Sequence, residues 1–565
     1  MKTSMNPLVE SEQRGALLDA GEYAQSDAND REEAEVTFEA GAASVECGRD
    51  GEDGDDGEEV AEAAVLRRSL TLLDGLGVVV GIMIGSGIFA SAGTALDNAG
   101  SGSIALASWT VAGLLVGLAS CCYCELGASV PSAAGDAEYL RLAYGEKASF
   151  VFIWTNFWVF KPGSQAIIAI VFGEYLAASF SGEVSSDASI VAKLLAVGAI
   201  VLLTGINLMG VRETANLQNL LTVLKAAMIF ALFAVGLVHL AVSHSGTHTL
   251  RQNMSGGGGG GGGAALVLGV TRAIVPCLWA FDGWADLGSL AEEMRFPERD
   301  LPLVILFSIS IVAGLYLLCN VAYFAVLDQD AIIDADAVAI DFSNALGGGV
   351  VGRAAVAGGV ALSTLGSCNG SIMTGGRIFF AVARDGTMGN AVPRCLGVLN
   401  GAGAPQRALL AQAAWAVALL LIPGSSFASL LDYFGPASWL FYAFTSSATV
   451  ALRRKLPDLP RPFRMPLFPF PPILVCVMSA CIVIESLAAN PLFCSIALFF
   501  VACGAPVHTY FARARPDEAP ASDHGGQDGR DSRDHTHDES GLGRSIVPRD
   551  TYGDTAAKNS EAAGK

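Results

Sequence analysis

Two short stretches of the sequence set glycine and polar groups inside otherwise apolar surroundings, GIMIGSGIF at 81–89 and WAFDGW at 279–284. Glycine makes local unwinding of a helix cheap. A helix in hydrocarbon opens only where its freed backbone groups line a protein-enclosed cavity. Amides at a new helix start around Gly85, Ser86 and Gly87 would attract a carboxylate, and freed carbonyls around Met83 and Trp279 would accept an ammonium. That pair of preferences suits a zwitterion. Taken alone, the GSG triplet fits close helix packing equally well. The second interruption, with Asp282 and Gly283 at a similar depth, shifts the reading to a midplane site between two repeats.

Among the charged residues within apolar blocks, Asp282, Lys225 and Lys161 stand out. A lone carboxylate at the bilayer centre costs about 2.5–3.5 kcal/mol on insertion scales, so Asp282 needs a cation or water. Three roles stay open for it: receiving the cationic side chain of a substrate, pairing with Lys161 or Lys225, or carrying protons. Lys225, in NLLTVLKAAMIF, is placed to bond the freed carbonyls of the first interrupted helix, or else to serve as one half of a structural pair. Lys161 lies beside the helix-disturbing Pro162, and its spacing assigns it no role.

The elements that must position these residues are apolar helices. Of the 565 residues 52% are hydrophobic and 16% charged, with a mean hydropathy of +0.47, which is unusual for a soluble chain. Apolar blocks of roughly membrane-spanning length lie at about 72–97, 103–129, 149–180, 189–209, 215–243, 264–290, 302–327, 350–383, 406–423, 427–451, 471–488 and 491–511. The expected fold class is therefore an all-α integral membrane protein with 12 transmembrane helices.

The formal charge of −21 sits mainly in the tails: residues 1–68 carry 19 acids against 6 bases, and 513–565 carry 11 against 8. Both are poor in apolar periodicity and read as disordered acidic tails flanking a transport-type domain at 69–512. The start MKTSMNPLVESEQ lacks the apolar run of a cleaved signal peptide, so the first span is expected to act as the insertion signal. With both termini cytosolic, basic residues including Arg67, Arg68, Arg141, Arg295, Arg384 and Arg453 fall inside, and only Lys193, Arg251 and Arg353 outside, as the positive-inside rule requires. The acidic segment 328–344 and the glycine run 256–263 then lie outside, the run serving as a flexible linker.

Enzyme chemistry finds no support. The glycines lie inside apolar spans without the strand context of a nucleotide fold, five of the seven histidines lie in loops or tails, and the cysteines show no zinc-type paired spacing. No cofactor, no metal and no nucleic acid partner is expected; the lipid bilayer is. Cys121, Cys122 and Cys124 read as small buried packing residues.

From about residue 66 to 512 the sequence resembles the L-type amino acid transporters, the light chains of heteromeric exchangers in the amino acid/polyamine/organocation superfamily. The resemblance is carried by GIMIGSGIF (81–89), CYCELGASVPSAAGDAEYLRLAYG (122–145), KPGSQ (161–165), EEMRFPERDLP (292–302), GSCNGSIMTGGRIFFAVARDG (366–386) and RRKLPDLPRPFRMP (453–466). It implies a LeuT-like 5+5 inverted repeat plus two helices, and sodium-independent antiport of amino acids at the plasma membrane, with Lys225 standing where sodium-coupled relatives place a cation. WAFDGW and ASWLFY (437–442) look most like the branch exchanging dibasic amino acids and cystine for neutral ones.

Carried over residue by residue, the resemblance gives Met83, Gly85, Ser86 and Gly87 the substrate's carboxylate and ammonium, and makes Trp279 an aromatic gate. Asp282, beside Gly283, faces a cationic side chain, and Trp439 and Tyr442 form a wall; without the resemblance those two aromatics read as ordinary packing residues. The sequence departs from the family at two points. The loop SGEVSSDAS (181–189) has no cysteine to bond an accessory heavy subunit, and Ala285 stands where relatives often have asparagine. A proton-coupled amino acid or polyamine symporter and a non-transporting nutrient receptor are the other readings.

Overall fold

The computed structural model describes residues 66–181, 190–255, 263–335, 337–386, 392–422 and 427–513. The acidic segment 1–65, the loop 182–189, the glycine run 256–262 and the C-terminal segment 514–565 lie outside the described residues. Among the described residues the chain is helical, with no strand beyond an isolated bridge between Leu70 and Met294.

Among the described residues eight helices are long and apolar enough to cross a membrane, nine when the bent pair Leu72–Met83 and Gly87–Ala99 counts as one span. The chain is thus a multi-pass membrane protein. The three other apolar blocks are also helical but fall short for separate reasons. Gly263–Ala280 stops at a break and resumes as the tight 3-10 helix Trp284–Glu293. Gln406–Leu421 has 16 residues. Phe427–Lys455 is diluted by Gly435, Pro436 and a Ser/Thr run.

Both interruptions fall at the glycines. The first helix pair bends by 47° at 84–86. In the second, Gly283 takes φ 106°, a left-handed conformation that favours glycine. The two breaks also touch. A Cβ on Gly87 would lie 2.6 Å from Ala280 Cα, and one on Gly283 would lie 2.3 Å from Ile82 Cγ2. Glycine is required at 87 because the Ala280 backbone lies against it, and at 283 because of the left-handed φ and the Ile82 side chain packed on it.

The chain ahead of the first helix is tied to the end of the second broken segment. The Leu70 amide donates to the Glu293 carbonyl (2.9 Å) and the Arg295 amide to the Leu70 carbonyl (3.1 Å). A capping box follows: Thr71 Oγ1 accepts from the Asp74 amide while the Asp74 carboxylate accepts from the Thr71 amide. Helix Val211–Val242 then tracks the first broken helix with a polar stripe at every third residue. Asn219 donates to Asp74 (2.7 Å), Thr222 to the Gly77 carbonyl (2.7 Å), and Lys225 reaches the break itself.

The acidic segment after helix Pro297–Val326 folds as two short helices, Gln329–Ile333 and Val338–Ala345. Ile332 and Phe342 bury their side chains there, and Gly93 lies close enough to the Ile332 carbonyl that a Cβ would meet it at 2.5 Å. The three cysteines near residue 122 are buried, as packing residues would be.

Candidate binding site

Lys225 fills the first break. Its Nζ donates to the carbonyls of Gly81 (2.7 Å), Ile84 (2.8 Å) and Ser363 (2.8 Å). An ammonium has three donors, so all three are used. Ser363 and Ser367, one turn apart on helix Gly349–Asp385, donate their hydroxyls to the same loose carbonyls of Ile84 and Gly81. Tyr316 connects the two interruptions: its hydroxyl lies 2.7 Å from the Met83 carbonyl and 2.8 Å from the Ala280 carbonyl. The carbonyls freed before both breaks are therefore occupied by side chains of neighbouring helices.

A cavity of about 90 Å³ opens beside the breaks, with Ile82 and Gly283 in its wall. Four charged side chains line it: Asp136, Lys161, Asp282 and Asp286. Phe152, Phe160, Phe434, Phe441 and Tyr442 give the wall an aromatic part, and small and polar residues such as Asn156, Ser164 and Ser438 share the remainder. Three carboxyl groups and one ammonium thus share the cavity, in surroundings where charge is weakly screened.

The carboxylates are held differently. Asp282 accepts a hydrogen bond from the Tyr442 hydroxyl (2.5 Å), and among the described residues it forms no ion pair. Asp136 accepts from Tyr123 (2.9 Å) and Thr445 (3.2 Å). Asp286 pairs with Lys161 at 2.7 Å, and Thr374 accepts from Lys161 at 2.9 Å. The first two carboxylates sit behind an aromatic group in which Tyr442 stacks on Trp284 (5.3 Å), Trp284 meets Tyr123 edge-on (4.7 Å), and Trp439 meets Tyr442 (5.4 Å).

Of the residues singled out in the sequence, Asp282, Gly283 and Tyr442 line this cavity. Trp279 packs against the lining residue Phe434 at 5.5 Å, and Trp439 packs behind Tyr442. Met83, Gly85, Ser86 and Gly87 lie in the adjoining break, outside the cavity wall; helix Gly87–Ala99 starts there without a side-chain cap. Lys225 supports the break and does not reach Asp282. Asp136 and Asp286 were not singled out, although Asp286 follows Asp282 by four residues and a second carboxylate in an apolar block was the available signal. Nothing in the sequence signals the contact of Asp136 with the cavity, which depends on the turn 131–135 between two helices.

Beyond the cavity a set of ion pairs closes the end of the molecule where helix Gly349–Asp385 finishes. Arg377 and Glu293 form a fully buried pair at 2.7 Å. Past the sixth apolar block, burial would raise the Glu292 pKa, but the Arg384 guanidinium and the Ala133 amide hold it below the usual carboxylate range. Glu125 is shared by Arg453 and Arg461 and also accepts from the Met465 amide (2.8 Å).

The family model for amino acid permeases matches residues 70–510. The b(0,+)-type amino acid transporter 1 of Mus musculus is 35% identical over 75% of this chain and 84% of its own length. Its Homo sapiens counterpart is 33% identical over the same shares. The large neutral amino acids transporter small subunit 2 of Oryctolagus cuniculus is 32% identical over 78% of this chain and 80% of that protein.

Proposed function

The chain belongs to the amino acid permease family, and from that premise we propose that it is a sodium-independent antiporter moving cationic and neutral L-amino acids by alternating access. The observation that carries the reading is Asp282: a carboxylate in the wall of a membrane cavity, oriented by Tyr442 and without a cationic partner among the described residues. A cationic side chain in the cavity would meet that carboxylate, and a neutral side chain would meet the aromatic wall. The zwitterionic backbone of the substrate would go to the break, where the amides of Ser86 and Gly87 begin a helix.

Sodium independence is supported by the Lys225 ammonium, whose carbonyl cage already holds a positive charge. The contact between the two breaks supports a LeuT-like architecture with 12 spans, two five-helix repeats and two further helices. Residues 69–512 form the transport domain in this reading, with residues 1–68 and 513–565 as cytosolic tails and the plasma membrane as the site of action. The name of the rabbit relative describes it as a small subunit; an accessory heavy subunit here would have to bind without a cysteine in the segment 181–189. Antiport follows physically if the closed transition needs the zwitterion to satisfy both sets of helix ends, so that an empty carrier resists closure.

The test is uptake of labelled arginine and leucine into liposomes preloaded with leucine, for the purified chain and for Asp282→Asn. Wild-type uptake of both, with arginine lost in the variant by about tenfold or more, is expected. Equal uptake into amino-acid-free vesicles would argue against antiport, and unchanged arginine uptake in the variant would remove Asp282 from the binding role. A marked response of uptake to an imposed pH gradient would favour the proton-coupled symporter instead.

A further inference from the structure

Lys161 is the cation nearest to the requirements of Asp282, yet it is bound elsewhere. Its Nζ meets Asp286 at 2.7 Å and Thr374 at 2.9 Å, and Thr374 Oγ1 lies 3.3 Å from Asp286. The arrangement joins three elements: helix Lys161–Ser181, the 3-10 segment after the second break, and helix Gly349–Asp385. Gly375 makes room for the lysine stem, since a Cβ there would meet Lys161 Cγ at 3.0 Å.

The lysine side chain is 7% exposed, whereas that of Asp286 is 25% exposed. A largely buried ammonium that loses its carboxylate is poorly compensated by water, so it either turns to another anion or gives up its proton. The same cavity offers Asp282 and Asp136, and neither has a cationic partner among the described residues. A lysine drawn to Asp282 would cancel the charge that a cationic substrate needs.

We propose that Asp286 is a positioning residue that sets the charge selectivity of the cavity, holding Lys161 so that the Asp282 carboxylate stays open to a cationic side chain. The inference rests on the proposed role of Asp282 and deepens it. Asp286 and Asp282 leave the same break on either side of the left-handed Gly283, which lets two carboxylates four residues apart serve different partners. One neutralises the protein's own cation, and the other receives the cation that is carried.

The experiment measures the ratio of arginine to leucine uptake in leucine-loaded liposomes for wild type, Asp286→Asn, and the double variant Lys161→Gln with Asp286→Asn. The ratio is expected to fall by about tenfold in the single variant, as the freed lysine turns to Asp282, and to return to within about threefold of wild type in the double variant, where the ammonium is gone. A purely structural role for Asp286 would depress both substrates together and leave the ratio unmoved, which overturns the proposal. A single variant with normal uptake of both substrates also overturns it. So does a double variant that stays poor in arginine while carrying leucine, because Asp286 would then hold the substrate's cation itself. If wild type carries no arginine, the exchanger reading of Asp282 and this inference fall together; if wild type carries arginine and the ratio is unmoved in the single variant, only this inference falls.

Discussion

Lys225 and Asp282 are both charges buried in membrane helices beside a broken helix, and they stand in opposite circumstances. All three donors of Lys225 end on carbonyls at 2.7–2.8 Å. Asp282 has one hydroxyl partner and a cavity in front of it. A buried charge with its capacity filled fixes local structure, and one with capacity to spare is a place for a ligand. The same contrast separates Asp286, which holds Lys161, from Asp282 four residues earlier.

The largest effect is expected from Lys225→Met. The change removes the ammonium from the carbonyls of Gly81, Ile84 and Ser363 and leaves the loose pair at the break to the hydroxyls of Ser363 and Ser367, a loss on the order of 3 kcal/mol. Arginine and leucine uptake should vanish together, with a lower unfolding temperature in detergent by fluorescence. Wild-type uptake should not change when sodium is replaced by choline. A variant that keeps full stability and loses only one substrate would break the contrast, because Lys225 would then act on the ligand.

An intermediate effect is expected at the contact between the breaks. In Gly87→Ala the new methyl would sit 2.6 Å from Ala280 Cα, so backbone must move apart. Uptake of both substrates should fall by about tenfold, consistent with displacement of two helix ends that share the Tyr316 hydroxyl. Gly198→Ala, on helix Ile190–Leu208 where the methyl meets open space, is the control and should transport as wild type. If Gly87→Ala is also silent, the breaks are not coupled through their contact.

Much of this arrangement was legible in the sequence, and the unread part has a common cause. Gly-Ser-Gly and Asp-Gly inside apolar blocks announce the breaks, because glycine and charge in hydrocarbon need a reason. Lys225 was readable as a support for the first break for the same reason. The partners that close each network were not: Tyr316 is one aromatic among many in the spans, and Ser363, Ser367 and Thr374 are short hydroxyls of a kind that can also bond within their own helix turn, as Thr374 does on the Gly370 carbonyl. Their roles follow from which helix faces which, and that is set by packing across the whole bundle. Asp136 shows the limit most clearly, since it belongs to a helix that follows a turn and enters the cavity wall only through tertiary structure.

The smallest effect, and the one that most sharpens the contrast, concerns the hydroxyl partner of Asp282. Tyr442→Phe keeps the ring, its stacking on Trp284 and the shape of the wall, and removes the hydroxyl that orients the carboxylate. A hydrogen bond to a charged group is worth about 1.5–3 kcal/mol, but a bound cation replaces part of what is lost, so the arginine KM should rise by about three- to tenfold. Leucine has no group for Asp282, and its KM should move by less than about twofold. Measuring both constants in the same vesicles separates the outcomes. A selective rise for arginine means that the hydroxyl aims a carboxylate kept for the ligand; an equal rise for both means that Tyr442 and Asp282 form a structural pair, and that Asp282, like Lys225, has its capacity committed to the fold.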